Sequence, residues 1–132
     1  MKKIIITSLL ITLLGPTLSA EAATKSLNIK GNKASCKNIK TNYKSEVMSK
    51  WSIGLASDQD VLKEIDLNIN MLTAKQKFTT GKIKTTIGFW VTAEKNTKIS
   101  LTDKNIEAIT AAMNLKIKSI TQFDRLCKDI KK

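Results

Sequence analysis

A small four-helix up-down bundle, all-α and stapled by one disulfide, is the fold class this sequence predicts. Three observations carry the prediction. Apolar residues recur at spacings of three and four through most of the chain, the period of helices that turn one face inward. The only two cysteines, Cys36 and Cys127, lie on such apolar stripes, near the start of the first predicted helix and the end of the last. The length of 132 residues, 42% of them apolar, supports one core, and no repeat, low-complexity run or Pro/Ser linker divides it.

The first segment reads as a processing signal. Lys2 and Lys3 precede an apolar run, Ile4 to Leu14, which Gly15 and Pro16 end before small residues. Ala20-Glu21-Ala22 has the small-x-small form of a cleavage site, with Leu18-Ser19-Ala20 as second choice, so residues 1–22 are expected to be a signal peptide and 23–132 a single helical domain. The run is too short to span a bilayer, and no later apolar stretch approaches about 18 residues, so no transmembrane anchor is expected. The expected location is the periplasm or the medium.

After a short extended start at 26–30, closed by Gly31-Asn32, helix one is predicted over 33–51, with Cys36, Ile39, Tyr43, Val47 and Trp51 on its inner face. Gly54 and Ser57 break the pattern. Ser57-Asp58-Gln59-Asp60 then supplies an N-cap with acids in the first turn, where the helix dipole favours them. Helix two runs from there to about Lys77 on a stripe of Val61, Leu62, Ile65, Ile69 and Leu72.

Residues 79–92 are ambiguous by local pattern. Ile83, Thr85, Ile87, Phe89 and Val91 alternate as a strand would, and Ile83, Ile87, Trp90 and Val91 fit a helical face equally well. Glu94-Lys95-Asn96 is expected to turn, and Thr102-Asp103 to open the last helix, whose stripe is Ile106, Ile109, Met113, Ile117, Ile120, Phe123, Cys127 and Ile130. The cysteines decide the ambiguity. Export places them in an oxidising compartment, and in an up-down bundle the start of helix one meets the end of helix four. A β-hairpin at about 81–101, the α+β alternative, would return the chain to the end it left and part the two thiols. A helical pass through 80–94 and a Cys36–Cys127 disulfide are therefore expected, two free buried thiols being the alternative.

The composition closes off much chemistry. Without histidine there is no imidazole base, no Ser-His or Cys-His pair and no histidine-held metal or haem, and bridged cysteines remove thiolate catalysis. The one acidic cluster, Asp58, Asp60, Glu64 and Asp66, is explained by capping and solvation at a helix start, and Tyr43 and the methionines by packing. No enzyme activity, metal or cofactor is expected.

Charge and surface remain. Removal of Lys2, Lys3 and Glu21 from 23 cations and 11 anions leaves a net charge of +11, with Arg125 the only arginine. Lysines act as hydrated point charges, so the basicity reads as diffuse attraction. Lys33, Lys37, Lys40 and Lys44 form one stripe on helix one, continued by Trp51, which either tracks an anion such as nucleic acid, an envelope polymer or a membrane surface, or merely lays lysine stems beside the core. On helix two, Leu67, Met71, Ala74 and Phe78 form a second apolar line, to be covered by Leu27 and Ile29 or by a partner. The expected function is a non-enzymatic exported binding protein of inhibitor, immunity or periplasmic-chaperone type. Its partner would be another protein or a second copy of itself, with an electrostatic binder of polyanions as the alternative.

Overall fold

The structure, a computed structural model, describes residues 31–130. The signal segment, its cleavage site, the start at 26–30 and the covering role of Leu27 and Ile29 lie outside the described residues. Five helices follow one another: α1 over 31–42, α2 Glu46–Ser52, α3 Asp58–Gln76, α4 Gly81–Asp103 and α5 Ile106–Ile130. No strand occurs among the described residues, so the hairpin alternative at 81–101 falls and the helical pass stands.

Pairings along the chain give the topology. Asn32 meets Thr80, Ser35 meets Lys75 and Lys44 meets Asn68, so α1 runs antiparallel to α3. The side chain of Gln76 bonds the Lys84 carbonyl and Asp66 pairs with Lys98, which sets α3 antiparallel to α4. Glu94 faces Lys116 across the α4–α5 pair, and Cys36 bonds Cys127 with 5.9 Å between their Cα atoms, closing α5 back onto α1. The four passes alternate up and down as expected. At the disulfide end the chain packs so closely that a Cβ at Gly31 would come within 2.5 Å of the Phe78 carbonyl oxygen, which leaves room only for glycine.

Two helix boundaries differ from the sequence expectation. The helix predicted over 33–51 breaks at residues 43–45, between α1 and α2. The partner helix causes the break. Asn68 of α3 accepts from the Lys44 amide at 3.0 Å and donates to its carbonyl at 2.7 Å, while the Glu64 carboxylate accepts from the amides of Val47 and Met48 at 2.9 and 3.0 Å. Ser45 makes no side-chain cap, so Glu64 takes over the capping of α2 from across the interface. Glu64 is thus a buried cap for another helix, not part of a solvated acidic start. The expected Ser57 cap is present, with its side chain accepting from the Asp60 amide.

The expected turn at 94–96 is also absent, since α4 runs unbroken through it. Glu94 is fully buried there, held by partners that a turn would have lost. The turn falls instead at Lys104, in the left-handed region at φ 55°, and Asn105 caps α5 by accepting from the Ala108 amide. The last helix therefore begins three residues later than Thr102-Asp103 suggested.

The core has two apolar clusters. Cys36, Ile39, Leu72, Ile83, Ile87, Trp90, Val91, Phe123 and Cys127 pack at the disulfide end, and Met48, Val61, Ile65 and Leu101 pack towards the other. Polar side chains are buried as well, among them Glu64 and Asn68 of α3, Glu94 of α4 and Lys116 of α5, and the half-buried Tyr43 reaches Glu94 at a site termed the waist.

Candidate functional site

Polar chemistry concentrates in two places, the waist and a surface groove beside α2. At the waist, the Tyr43 hydroxyl donates to Glu94 Oε2 at 2.5 Å and the Trp90 indole donates to the same oxygen at 3.1 Å. Lys116 Nζ lies 3.5 Å from Oε1, an ion pair without a hydrogen bond, and that oxygen accepts none. The Tyr43 ring sits 4.7 Å from the Trp90 ring, and Trp90 sits 5.4 Å from Phe123, so the site is walled by aromatic side chains. Burial, with the nearby Glu94 charge and hydrogen bond adding to it, pushes the Tyr43 hydroxyl well above its usual range.

That shift has a sign that can be checked. A tyrosine whose folded pKa is raised stabilises the fold in full below its unfolded value of about 10, and the contribution is lost as pH rises beyond it. Tyr43 is the only tyrosine in the chain, so tyrosinate absorbance reports on it alone. Its ionisation is expected to wait for alkaline unfolding, the absorbance rise coinciding with loss of helical circular dichroism. A smooth titration near pH 10 in the still-folded protein would contradict the geometry.

The groove is an open cleft of about 370 Å³ lined by Lys44, Val47, Lys50, Leu55, Ala56, Asp60, Lys63, Glu64 and Leu67. It lies where α1 has ended at the Asn68 and Glu64 contacts and the chain continues as the short α2 and the loop at 53–57, both of which line it beside α3. Gly54, at φ 79°, provides the left-handed residue that this loop needs, and Leu55 beyond it stays exposed. Leu55 and Leu67 are 71% and 57% exposed, a cost in unburied apolar surface on a chain this small. Lys44 and Lys63 make no ion pair among the described residues, and Lys50 shares only an exposed 3.3 Å contact with Glu46.

The residues singled out by sequence are redistributed by this geometry. Lys33, Lys37 and Lys40 line the exposed side of α1, with Lys40 3.6 Å from Asp124. Lys44 lies past the end of α1 and joins the groove, and Trp51 turns aside to donate to Asp58 at 2.7 Å. The apolar line of α3 divides likewise. Leu67 belongs to the groove, Met71 is half-buried against the disulfide-end cluster, and Phe78 is 67% exposed at the α3–α4 turn. Lys50, Lys63 and Leu55 were not singled out from sequence: Lys63 stands one turn before Leu67 on α3, and Lys50 and Leu55 come to the groove from α2 and the loop after it.

The four carboxylates of the acidic cluster do not converge. Asp58 accepts from Trp51, Glu64 caps α2, Asp66 pairs with Lys98 at 2.7 Å, and Asp60 lines the groove. Among the described residues no group of three or more carboxylates or cysteines is placed to hold a metal ion, and no helix is long and apolar enough to cross a membrane.

The fold and its staple define the class as an all-α helical bundle closed by a single disulfide, a bond compatible with an oxidising extracellular compartment. No protein-family model, curated protein or solved structure matches the chain.

Proposed function

We propose that this chain is a small exported, non-enzymatic binding domain whose partner is another protein. The groove carries the reading: Leu55 and Leu67 stand exposed over Val47 and Ala56, ringed by lysines from three separate elements. Apolar side chains rimmed by charge are the usual composition of a surface that buries itself against a partner. The disulfide supports export. The basic stripe on α1 is the ground for the alternative, an electrostatic hold on a polyanion, which an apolar groove does nothing to help.

Photo-crosslinking from the groove tests the proposal. A benzophenone side chain at position 67 is expected to capture a discrete protein from envelope extract at moderate salt, and to lose it when Leu55→Ser is added. The same group at Lys128, exposed on α5, is expected to capture nothing comparable. Equal capture from both positions, or from neither, removes the reading. If the polyanion alternative holds instead, Lys33→Gln, Lys37→Gln and Lys40→Gln together abolish heparin binding and flatten its salt slope, with no capture at position 67.

A further inference from the structure

Resting on that binding reading, we infer that the groove takes an acidic amphipathic segment of its partner, which seats an apolar side chain between Leu55 and Leu67 and sets carboxylates against Lys44, Lys50 and Lys63. Charge decides the occupant. Three lysines line the groove against two carboxylates, Asp60 and Glu64, and Glu64 is buried with its oxygens turned to the Val47 and Met48 amides, so Asp60 is the one exposed carboxylate of the lining. Lys44 and Lys63 have no ion-pair partner among the described residues, and the exposed Glu46 contact of Lys50 is of the kind that exchanges readily for another carboxylate.

Other occupants fit less well. A second copy docked about a two-fold axis would bring the lysine rims against each other, on chains that each carry +12 in full. Residues 23–30 contain Lys25 and Lys30 and no carboxylate, so they offer the lysine rim nothing. A nucleic acid or a sugar polyanion would engage the lysines but leave Leu55 and Leu67 in water. An acidic segment with leucine or phenylalanine at helical spacing satisfies both requirements at once, the familiar mode of a helix laid in a groove.

The test uses a panel of fluorescein-labelled peptides of about 15 residues, roughly four helical turns, with Leu or Phe on one face and Glu on the other. Fluorescence anisotropy at moderate salt is expected to find binding that weakens tenfold or more when Glu is replaced by Gln in the peptide. Leu67→Ser, and Lys44→Gln with Lys63→Gln, are each expected to weaken it as much. All three side chains are exposed, so the variants should fold, which circular dichroism verifies. Polyglutamate, lacking an apolar anchor, is expected to compete poorly. Equal affinity for the Gln peptides, full competition by polyglutamate, an unaffected Leu67→Ser variant or concentration-dependent self-association in place of peptide binding would each overturn the inference. If position 67 still captures a protein while no acidic peptide binds, the inference falls and the binding reading stands; if capture fails, the binding reading falls first.

Discussion

Replacing Cys36 and Cys127 together by alanine is expected to lower unfolding free energy by about 4 to 5 kcal/mol, measured by urea denaturation. The two residues are 91 apart in sequence, so the bond closes nearly the whole folded region and removes a large share of the loop entropy of the unfolded chain. It is also the only covalent tie between α1 and α5. Both cysteines are buried in the disulfide-end cluster, and alanine leaves small voids there that add to the loss. A domain of this size has only about 5 to 15 kcal/mol to lose, so the reduced or doubly substituted protein should be marginal at 37 °C, with its midpoint lowered by roughly 20 °C or more. A loss under about 1 kcal/mol would mean that the unfolded chain is already held compact by other means.

The helical class and the pairing of the cysteines were legible because each depends on patterns that survive in one dimension. Ile83, Ile87 and Trp90 sit at helical spacing whatever the β propensity of their neighbours, and the disulfide excluded the topology that propensity favoured. What escaped were polar residues placed on apolar stripes. Glu94 continues the line Ile83, Ile87, Trp90, and Asn68 falls between Ile65 and Leu72, yet each reads as a boundary or a surface position when polarity alone is weighed. Both are buried, and both reach other elements: Asn68 of α3 stops α1, and Glu94 of α4 holds Tyr43 and Lys116. Glu94 accepts from Trp90 one turn away, but the partners on other elements, Lys44 for Asn68 and Tyr43 for Glu94, are 24 and 51 residues away, a separation no local pattern encodes. The groove was half-legible for the same reason. Lys44 and Leu67 were evident singly, and only the break that Asn68 and Glu64 impose brings them together.

The buried pair at the waist leads to the other large effect. Lys116→Met alone is expected to cost about 3 kcal/mol, and Glu94→Leu alone about 3 to 5, because each strands a charge in a site that water does not reach. Glu94→Leu is the worse of the two, since it also leaves the Tyr43 hydroxyl and the Trp90 indole without their acceptor. The pair itself is another matter. Lys116 stands 3.5 Å from a carboxylate oxygen that accepts no hydrogen bond, so the attraction is not reinforced by the contacts that would offset taking both charges out of water. Glu94→Gln combined with Lys116→Met removes both charges while its amide oxygen still accepts from Tyr43 and Trp90. That double variant is expected to lie within about 1 kcal/mol of the parent, and so to recover most of what either charge-stranding single change loses. Urea midpoints of the parent, Glu94→Gln, Lys116→Met and the double variant close a cycle that measures the coupling. If the double variant is as unstable as Glu94→Leu, the ion pair contributes more than its geometry allows, and the waist is held by charge rather than by the hydrogen bonds of Tyr43 and Trp90.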